Sequence, residues 1–313
     1  MDDINLYNGD CLEVMCKLIE SGVKVDAIIT DPPYGTVKGM VLKGQTKKTT
    51  HWDTKLDIKE LNKRFNLLLR EKGVLIMFSQ EPYTSEMVTN ADKNIPFSYR
   101  MIWLKSHFAS PLCAKKAPVN YYEDINVFFK KYDIHMENPL RRYFGEVLKY
   151  IDKPLKKINE DLGHRKAEHS FYISSTQFKL MTEEVYSELM EVYDLNGMEG
   201  YREYEELRMT NKNYSVVFNL YGEKKKSNVL QYKKDYSGIH PTQKPVLLME
   251  DLIKTYTNEG DLVLDFTMGS GTTMVACKNL NRKGIGIELD EGYFNIAKDR
   301  VDKAVQGSSL GLN

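Results

Sequence analysis

Two short stretches of the 313-residue chain hold residue types that could do chemistry. The first is Thr30-Asp31-Pro32-Pro33-Tyr34-Gly35, which combines a carboxylate, two rigid prolines and an aromatic ring. An exocyclic amine on a nucleic-acid base is a poor nucleophile, because its lone pair is delocalised into the ring. The Asp31 carboxylate can accept one hydrogen bond from such an amine. The Pro32 carbonyl, pointed outward by the fixed proline backbone, can accept another. Together they favour a pyramidal nitrogen with a free lone pair. Tyr34 offers a ring on which a base extruded from a duplex could stack, as base-modifying enzymes require. Taken alone, the tetrapeptide reads equally well as a proline-rich turn with a buried tyrosine, since short motifs recur by chance.

The second stretch runs from Asp265 through Phe266, Gly269, Ser270 and Gly271 to Thr272 and Thr273. Two glycines let the backbone turn tightly and approach a ligand closely. Glu288 ends the next strand-like run, roughly 20 residues on, where folds of this kind bond a ribose hydroxyl pair. A tight turn with purely structural glycines is the competing reading. Two rival nucleotide motifs do not fit. A P-loop needs Gly-Lys-Ser/Thr, whereas Gly271 is followed by Thr272; a dinucleotide fingerprint needs a third small residue, where this chain has Met274. The loop therefore favours a nucleoside without a pyrophosphate, and S-adenosylmethionine is such a ligand.

Both motifs need elements that carry them to one place. Residues 25–30 form a short apolar run rich in β-branched residues that stops at Pro32-Pro33, as a central strand must. Further strands are expected over 73–79, 125–129, 262–266 and 284–288, with helices over 58–70, 243–257 and from Thr272 onward. Pro245 is acceptable in a first helical turn. Asp290 should cap a last helix with Tyr293, Ile296, Ala297 and Val301 on its apolar face. Strands alternating with helices imply an α/β fold with a doubly wound, mostly parallel sheet. From about residue 137 to 211 the pattern turns helical and charged, with a helix over 140–162, a break at Gly163, and a second helix from Thr182, with Val185, Leu189 and Tyr193 inward. This gives three segments: a catalytic half over 1–136, a mainly helical insertion over 137–232, and a cofactor half over 233–313 that completes the same sheet.

Composition narrows the function classes. Lys plus Arg and Asp plus Glu number 44 each, so nucleic-acid contacts must come from local basic patches. The start of the chain shows no secretory signal, and no apolar run approaches a membrane span, so a cytoplasmic protein without membrane contact is expected. The four cysteines, Cys11, Cys16, Cys113 and Cys277, make no CxxC pair. The six histidines lack metal-ligand spacing, and no catalytic metal is expected.

These motifs and their order resemble those of the DNA amino-methyltransferases of the β class. There the DPPY segment comes first, the target-recognition region follows and the cofactor loop comes last. Asn8-Gly9-Asp10-Cys11-Leu12 is similar to the N-terminal block of that family, and His240-Pro241-Thr242-Gln243-Lys244-Pro245 with residues 265–273 to its C-terminal block. The resemblance implies a Rossmann-like methyltransferase sheet in permuted order. It implies Asp10 at the cofactor adenine, Asp265 at the methionine ammonium, Gly269, Gly271 and Thr272 against the cofactor, and Glu288 on the ribose. Thr242 and Lys244 fall near the methionine carboxylate. Asp31, Pro32, Pro33 and Tyr34 hold the target base. The family often has Asp-Pro-Phe before its glycines where this chain has Asp265-Phe266-Thr267, so the resemblance leaves the ring beside the cofactor to Phe266 or to another residue. Double-stranded DNA is the implied partner, and a homodimer and a cognate restriction endonuclease stay open.

The implied chemistry is direct in-line transfer of a methyl group to adenine N6, with positioning and electrostatics supplying most of the rate. Asp at the first motif position favours adenine over cytosine N4, which stays open. A carbon-5 cytosine enzyme would need a nucleophilic cysteine, usually after a proline, and none of the four follows one. Other acceptors (RNA or a protein glutamine), a non-catalytic DNA-binding regulator and a nicotinamide enzyme are the remaining alternatives. For DNA contact the candidates are Lys38, Lys43, Lys47 and Lys48 in a loop just after DPPY, and Lys156, Lys157, His164, Arg165 and Gln177 in a helix-turn-helix-like reader within the insertion.

Overall fold

The computed structural model describes residues 3–35, 54–109, 115, 118–131, 138–213, 216–233 and 243–307. In chain order the elements are β1 (Ile4–Asn8), α1 (Cys11–Glu20), β2 (Val25–Thr30), α2 (Ile58–Leu68), β3 (Leu69–Ser79), α3 (Tyr83–Thr89), β4 (Phe97–Ala109) and β5 (Asn120–Phe129). Then follow α4 (Pro139–Ile151), α5 (Leu155–Leu162), α6 (Glu183–Tyr193), α7 (Tyr204–Asn213), β6 (Val229–Gln231), α8 (Val246–Tyr256), β7 (Leu262–Asp265), α9 (Thr272–Asn279), β8 (Lys283–Glu288) and α10 (Glu291–Lys303). The described residues fall into two compact units, one of residues 1–130 with 216–313, the other of residues 131–215.

The first unit is built on an eight-stranded sheet in the order β1-β8-β7-β2-β3-β5-β4-β6. Within it β5 alone runs against the rest, pairing antiparallel with β3 and β4, while every other pairing is parallel. β2 is buried on both faces, which is why its sequence is a continuous apolar run rather than an alternating one. Ala27 and Ile29 face a layer formed by α8, α9 and α10, with Leu248, Leu252, Met274 and Ala297 among its buried residues. Val25 and Ile28 face the opposite layer of α1, α2 and α3, with Met15, Leu61, Phe65 and Met87. The sheet is therefore covered by helices on both sides, as the alternating pattern implies.

Neighbouring strands β7 and β2 come from opposite ends of the chain. From there the strand order proceeds outward in both directions, so the β7–β2 boundary is a topological switch point. In open α/β sheets a crevice for ligands forms there, beyond the carboxyl ends of the strands. Asp265 ends β7 and Asp31 follows β2, which puts both sequence motifs at that crevice.

The second unit has its own core, in which Leu140, Phe144, Val147, Ile158, Phe171, Val185, Tyr186 and Leu189 are buried. Three expectations change here. The helix expected over 140–162 is two helices, because Asp152 takes a left-handed conformation (φ 47°) and Pro154 follows. The stretch after Gly163 holds only a 3₁₀ turn at Glu168–Phe171 before α6, so it is no helix-turn-helix. Phe171 is drawn into the core of the unit, which spends that turn on packing. The second unit also ends at 215 rather than 232, because β6 pairs with β4 and the Trp103 indole N–H donates to the Tyr232 carbonyl at 2.9 Å.

Candidate active site

Asp31 sits where the apolar strand β2 gives way to the prolines. Its carboxylate accepts a hydrogen bond from the Tyr34 hydroxyl on Oδ1 and one from Lys244 Nζ on Oδ2. Tyr34 packs near Tyr83, with ring centroids 5.9 Å apart. Lys244 Nζ also lies 3.1 Å from Glu123 Oε2 and 4.9 Å from the centroid of the Phe78 ring. Burial pushes the Asp31 carboxyl above its ordinary value; the Lys244 ammonium draws it down and the Glu123 charge pushes it up. Burial likewise holds the Tyr34 hydroxyl protonated, with the Asp31 charge adding to the effect, so Tyr34 acts as a donor.

Across the switch point, Asp265 is tied to the DPPY strand. Its Oδ1 accepts from Thr30 Oγ1 at 2.8 Å and from the Thr267 backbone N–H at 3.2 Å, and its Oδ2 from Thr273 Oγ1 at 2.5 Å. A carboxylate has about four acceptor positions, so three are used to aim the group and one is left for a ligand. Burial raises the Asp265 carboxyl to about 6. Glu288 ends β8; its Oε2 accepts from the Gly269 N–H at 2.9 Å and its Oε1 from the Asp290 N–H at 2.9 Å. Each oxygen keeps a second lone pair, the arrangement needed for two adjacent hydroxyls. Asn8 pairs with Glu288 across β1 and β8, and Asp10 next to it caps α1, its Oδ1 accepting from the Leu12 N–H at 2.8 Å. Two fixed carboxylates flanking a glycine turn suit a ligand that carries an ammonium and a ribose.

Gly271 adopts a left-handed conformation (φ +78°), and a Cβ there would lie 2.8 Å from the Cβ of Ala297 on α10. Gly271→Ala should therefore lower the unfolding free energy by about 3 kcal/mol, through backbone strain and overpacking together. Urea unfolding checks this; an unchanged midpoint would mean the loop has room that the geometry denies.

Three expected cofactor residues turn elsewhere. Lys244 is bound to Asp31 and Glu123, because those carboxylates surround its buried amine. Phe266 is 1 % exposed and packs on Phe65, ring centroids 5.6 Å apart, within the α1–α3 layer. Thr272 Oγ1 accepts from Arg300 Nη1 at 3.1 Å, which turns its hydroxyl toward α10. Thr242 and the loop lysines Lys38, Lys43, Lys47 and Lys48 lie outside the described residues. In the second unit, Lys157 pairs with Asp161 at 2.9 Å, His164 with Glu188 at 2.6 Å and Arg165 with Glu168 at 2.9 Å. These pairings reduce the net positive charge the stretch can offer to phosphates, while Lys156 and Gln177 are exposed.

Sequence reasoning missed Glu123, Lys105 and Phe78. A readable signal was present: Glu123 and Asp124 stand between the aromatic pair Tyr121-Tyr122 and the largely apolar run 125–129, and carboxylates in such a place are seldom buried without a partner. Asp124 in turn accepts from Thr84 Oγ1 at 2.8 Å, fixing β5 at this edge.

Comparison with solved structures agrees with the fold class. M1.HpyAVI in its complex with SAM aligns over 95% of this chain and 99% of its own, with a TM-score of 0.55 and 22% identity. The cytosine-N4-specific PvuII DNA methyltransferase aligns over 95% of this chain and 88% of its own, with a TM-score of 0.51 and 15% identity. At such identities the likeness defines the architecture alone, a doubly wound α/β sheet of Rossmann-like type. Residues 25–299 match the N6_N4_Mtase family of DNA methylases, and the chain belongs to that family. Sequence relatives match more locally. The type II methyltransferase M.HpaI of Haemophilus parainfluenzae is 42% identical over 106 residues, 32% of this chain and 33% of that protein. M2.LlaDCHI of Lactococcus lactis subsp. cremoris is 47% identical over 77 residues, 25% of this chain and 28% of that protein. The chain thus matches 33% or less of the length of these curated relatives.

Proposed function

We propose that this protein transfers a methyl group from S-adenosylmethionine to the N6 amine of an adenine extruded from double-stranded DNA, by direct in-line displacement. The observation that carries the reading is the 2.8 Å hydrogen bond from Thr30 to Asp265, which joins the DPPY strand to the cofactor strand at the switch point. Asp265 holds the ligand ammonium, Glu288 the ribose hydroxyls, Gly269 and Gly271 the close turn against the nucleoside, and Asp10 the adenine edge. The bound S-adenosylmethionine supplies an electrophilic methyl carbon on a sulfonium. Asp31 and the Pro32 carbonyl hold the hydrogens of the target amine, which frees its lone pair for attack, and Tyr34 stacks on the flipped base. The proton left over on the methylated amine passes to water.

A covalent route through Cys11 or Cys277 is unfavourable. Burial pushes the Cys11 thiol to about 12 and the Cys277 thiol higher, so neither supplies a thiolate at neutral pH. Unmethylated duplex DNA should accept label from methyl-labelled S-adenosylmethionine, and RNA and bulk protein should not; labelling of either in place of DNA would sink the proposal.

Cofactor affinity should depend on pH through Asp265. Burial raises this carboxyl to about 6, so it is ionised above that pH and protonated below it. A protonated carboxyl cannot pair with an ammonium. Between about pH 6 and the lower pKa of the complex, Kd should rise by up to about tenfold per pH unit as pH falls. Calorimetric titration at about pH 7.5 and about pH 5 reads this directly, and equal affinities would remove Asp265 from the ammonium site.

A further inference from the structure

Glu123 has no part in the roles assigned above, yet it belongs to an unbroken line of alternating charge. Lys244 Nζ donates to Asp31 and lies 3.1 Å from Glu123 Oε2, while Glu123 Oε1 lies 2.5 Å from Lys105 Nζ. Asp31 follows β2, Glu123 lies on β5, Lys105 on β4 and Lys244 just before α8. Lys244 rests over the Phe78 ring and Lys105 over the Trp103 ring, 5.4 Å from its centroid. The line is closed at one end and open at the other. Side-chain exposure is 6% at Lys105, 12% at Glu123 and 7% at Lys244, but 23% at Asp31. Burying four charged groups is expensive, and apolar residues of equal volume would stabilise the site as well or better. A line of this kind calls for a reason in function.

Both oxygens of Asp31 already accept bonds, from Tyr34 and from Lys244. Each oxygen keeps a second lone pair, so a target amine reaching Asp31 either shares an oxygen with Tyr34 or Lys244 or takes the place of one of them. Tyr34 is held by the backbone turn that carries Asp31 itself. Lys244 has three N–H donors and a second carboxylate at hand, so it can leave Asp31 without becoming an unpaired buried cation. We propose that Glu123 is a positioning residue, which keeps Lys244 when the target amine takes its place on Asp31 and so sets how readily Asp31 engages the base. Lys105 anchors Glu123 from behind. Burial would push the Glu123 carboxyl up, but Lys244 and Lys105 hold it below the ordinary carboxylate range, so it stays charged throughout. The Lys244 ammonium, which burial would weaken, is held charged by Asp31 and Glu123. This inference rests on the methyl-transfer reading of the same site.

The test is a double-mutant cycle on the full chain, with labelled S-adenosylmethionine and unmethylated duplex DNA, followed across pH. Glu123→Gln should lower kcat roughly a hundredfold, with cofactor Kd and the KM for DNA within about threefold of wild type. The groups facing Asp31 are Lys244, Glu123, Tyr34 with Tyr83 behind it, and Asp265, with Lys105 next in line. Removing the Glu123 charge removes a repulsion on Asp31 and leaves Lys244 to it alone, so the acid limb of the kcat profile should move to lower pH. In a Lys244→Met background the same Glu123→Gln change should cost less than about threefold, because there is no amine left to hold. Additive losses in the cycle, or an acid limb that stays at its wild-type position in Glu123→Gln, overturn the proposal. A wild type that transfers no methyl overturns the reading beneath it as well, so the two failures differ. If Glu123→Gln does not fold, the charge-balanced pair Glu123→Gln with Lys105→Met, measured against Lys105→Met, carries the same expectations.

Discussion

Asp31→Ala should reduce methyl transfer by about a thousandfold or more while leaving cofactor affinity within about threefold of wild type. The loss arises because the target amine keeps its lone pair in the ring unless an acceptor draws on its hydrogens, and Asp31 is the charged acceptor at the carboxyl end of β2. The cofactor is spared because Asp265 and Glu288 are aimed by their own partners, Thr30, Thr267, Thr273, Gly269 and Asp290. The protein should still fold: when Asp31 is removed, Lys244 retains Glu123 at 3.1 Å. Single-turnover transfer and calorimetric cofactor binding separate the two effects. Turnover near the wild-type rate in this variant would remove Asp31 from the chemistry.

Glu288→Ala should act on the other half of the site. It deletes the carboxylate assigned to the ribose and also releases the Gly269 N–H, which it holds at 2.9 Å. Hydrogen bonds to charged groups are worth about 1.5–3 kcal/mol each, so losing two weakens cofactor binding roughly a hundredfold or more. At saturating cofactor the transfer rate should stay within about threefold of wild type, since Asp31 and its partners lie across the switch point. The contrast with Asp31→Ala is the informative feature: one variant binds without reacting, the other reacts once bound. An unchanged cofactor Kd would place the ribose elsewhere.

Much of the sheet is legible in the sequence, for a physical reason. A central parallel strand is buried on both faces, so residues 25–30 and 262–265 appear as short apolar runs, each ended by a motif that cannot continue a strand. Asp290 reads as a helix cap because a side-chain oxygen suits the free N–H groups of a first turn, and it accepts from the Tyr293 N–H at 3.0 Å. Of the β4–β5 hairpin only residues 125–129 read this way. Its strands carry Lys105, Glu123, Asp124 and Asn126, polar residues that make sense only once their partners are in place. β6 is three residues long, too short for any periodicity. The same limit applies within the site. Asp31 and Lys244 are each conspicuous in their motifs, but they are 213 positions apart, and no spacing rule joins them. The placement of Phe266 follows from strand alternation beyond β7, which turns its ring toward Phe65 instead of the crevice.

The most direct measurement incubates the protein with unmethylated genomic DNA and S-adenosylmethionine, digests the DNA to nucleosides and identifies the modified ones by mass spectrometry. N6-methyladenine is the predicted product, and it must be absent from the Asp31→Ala reaction. N4-methylcytosine in its place would contradict the assigned base while keeping the site and its chemistry. DNA left unmodified by protein that binds the cofactor would contradict the central claim, that the carboxylate after β2 prepares a DNA amine for methyl transfer.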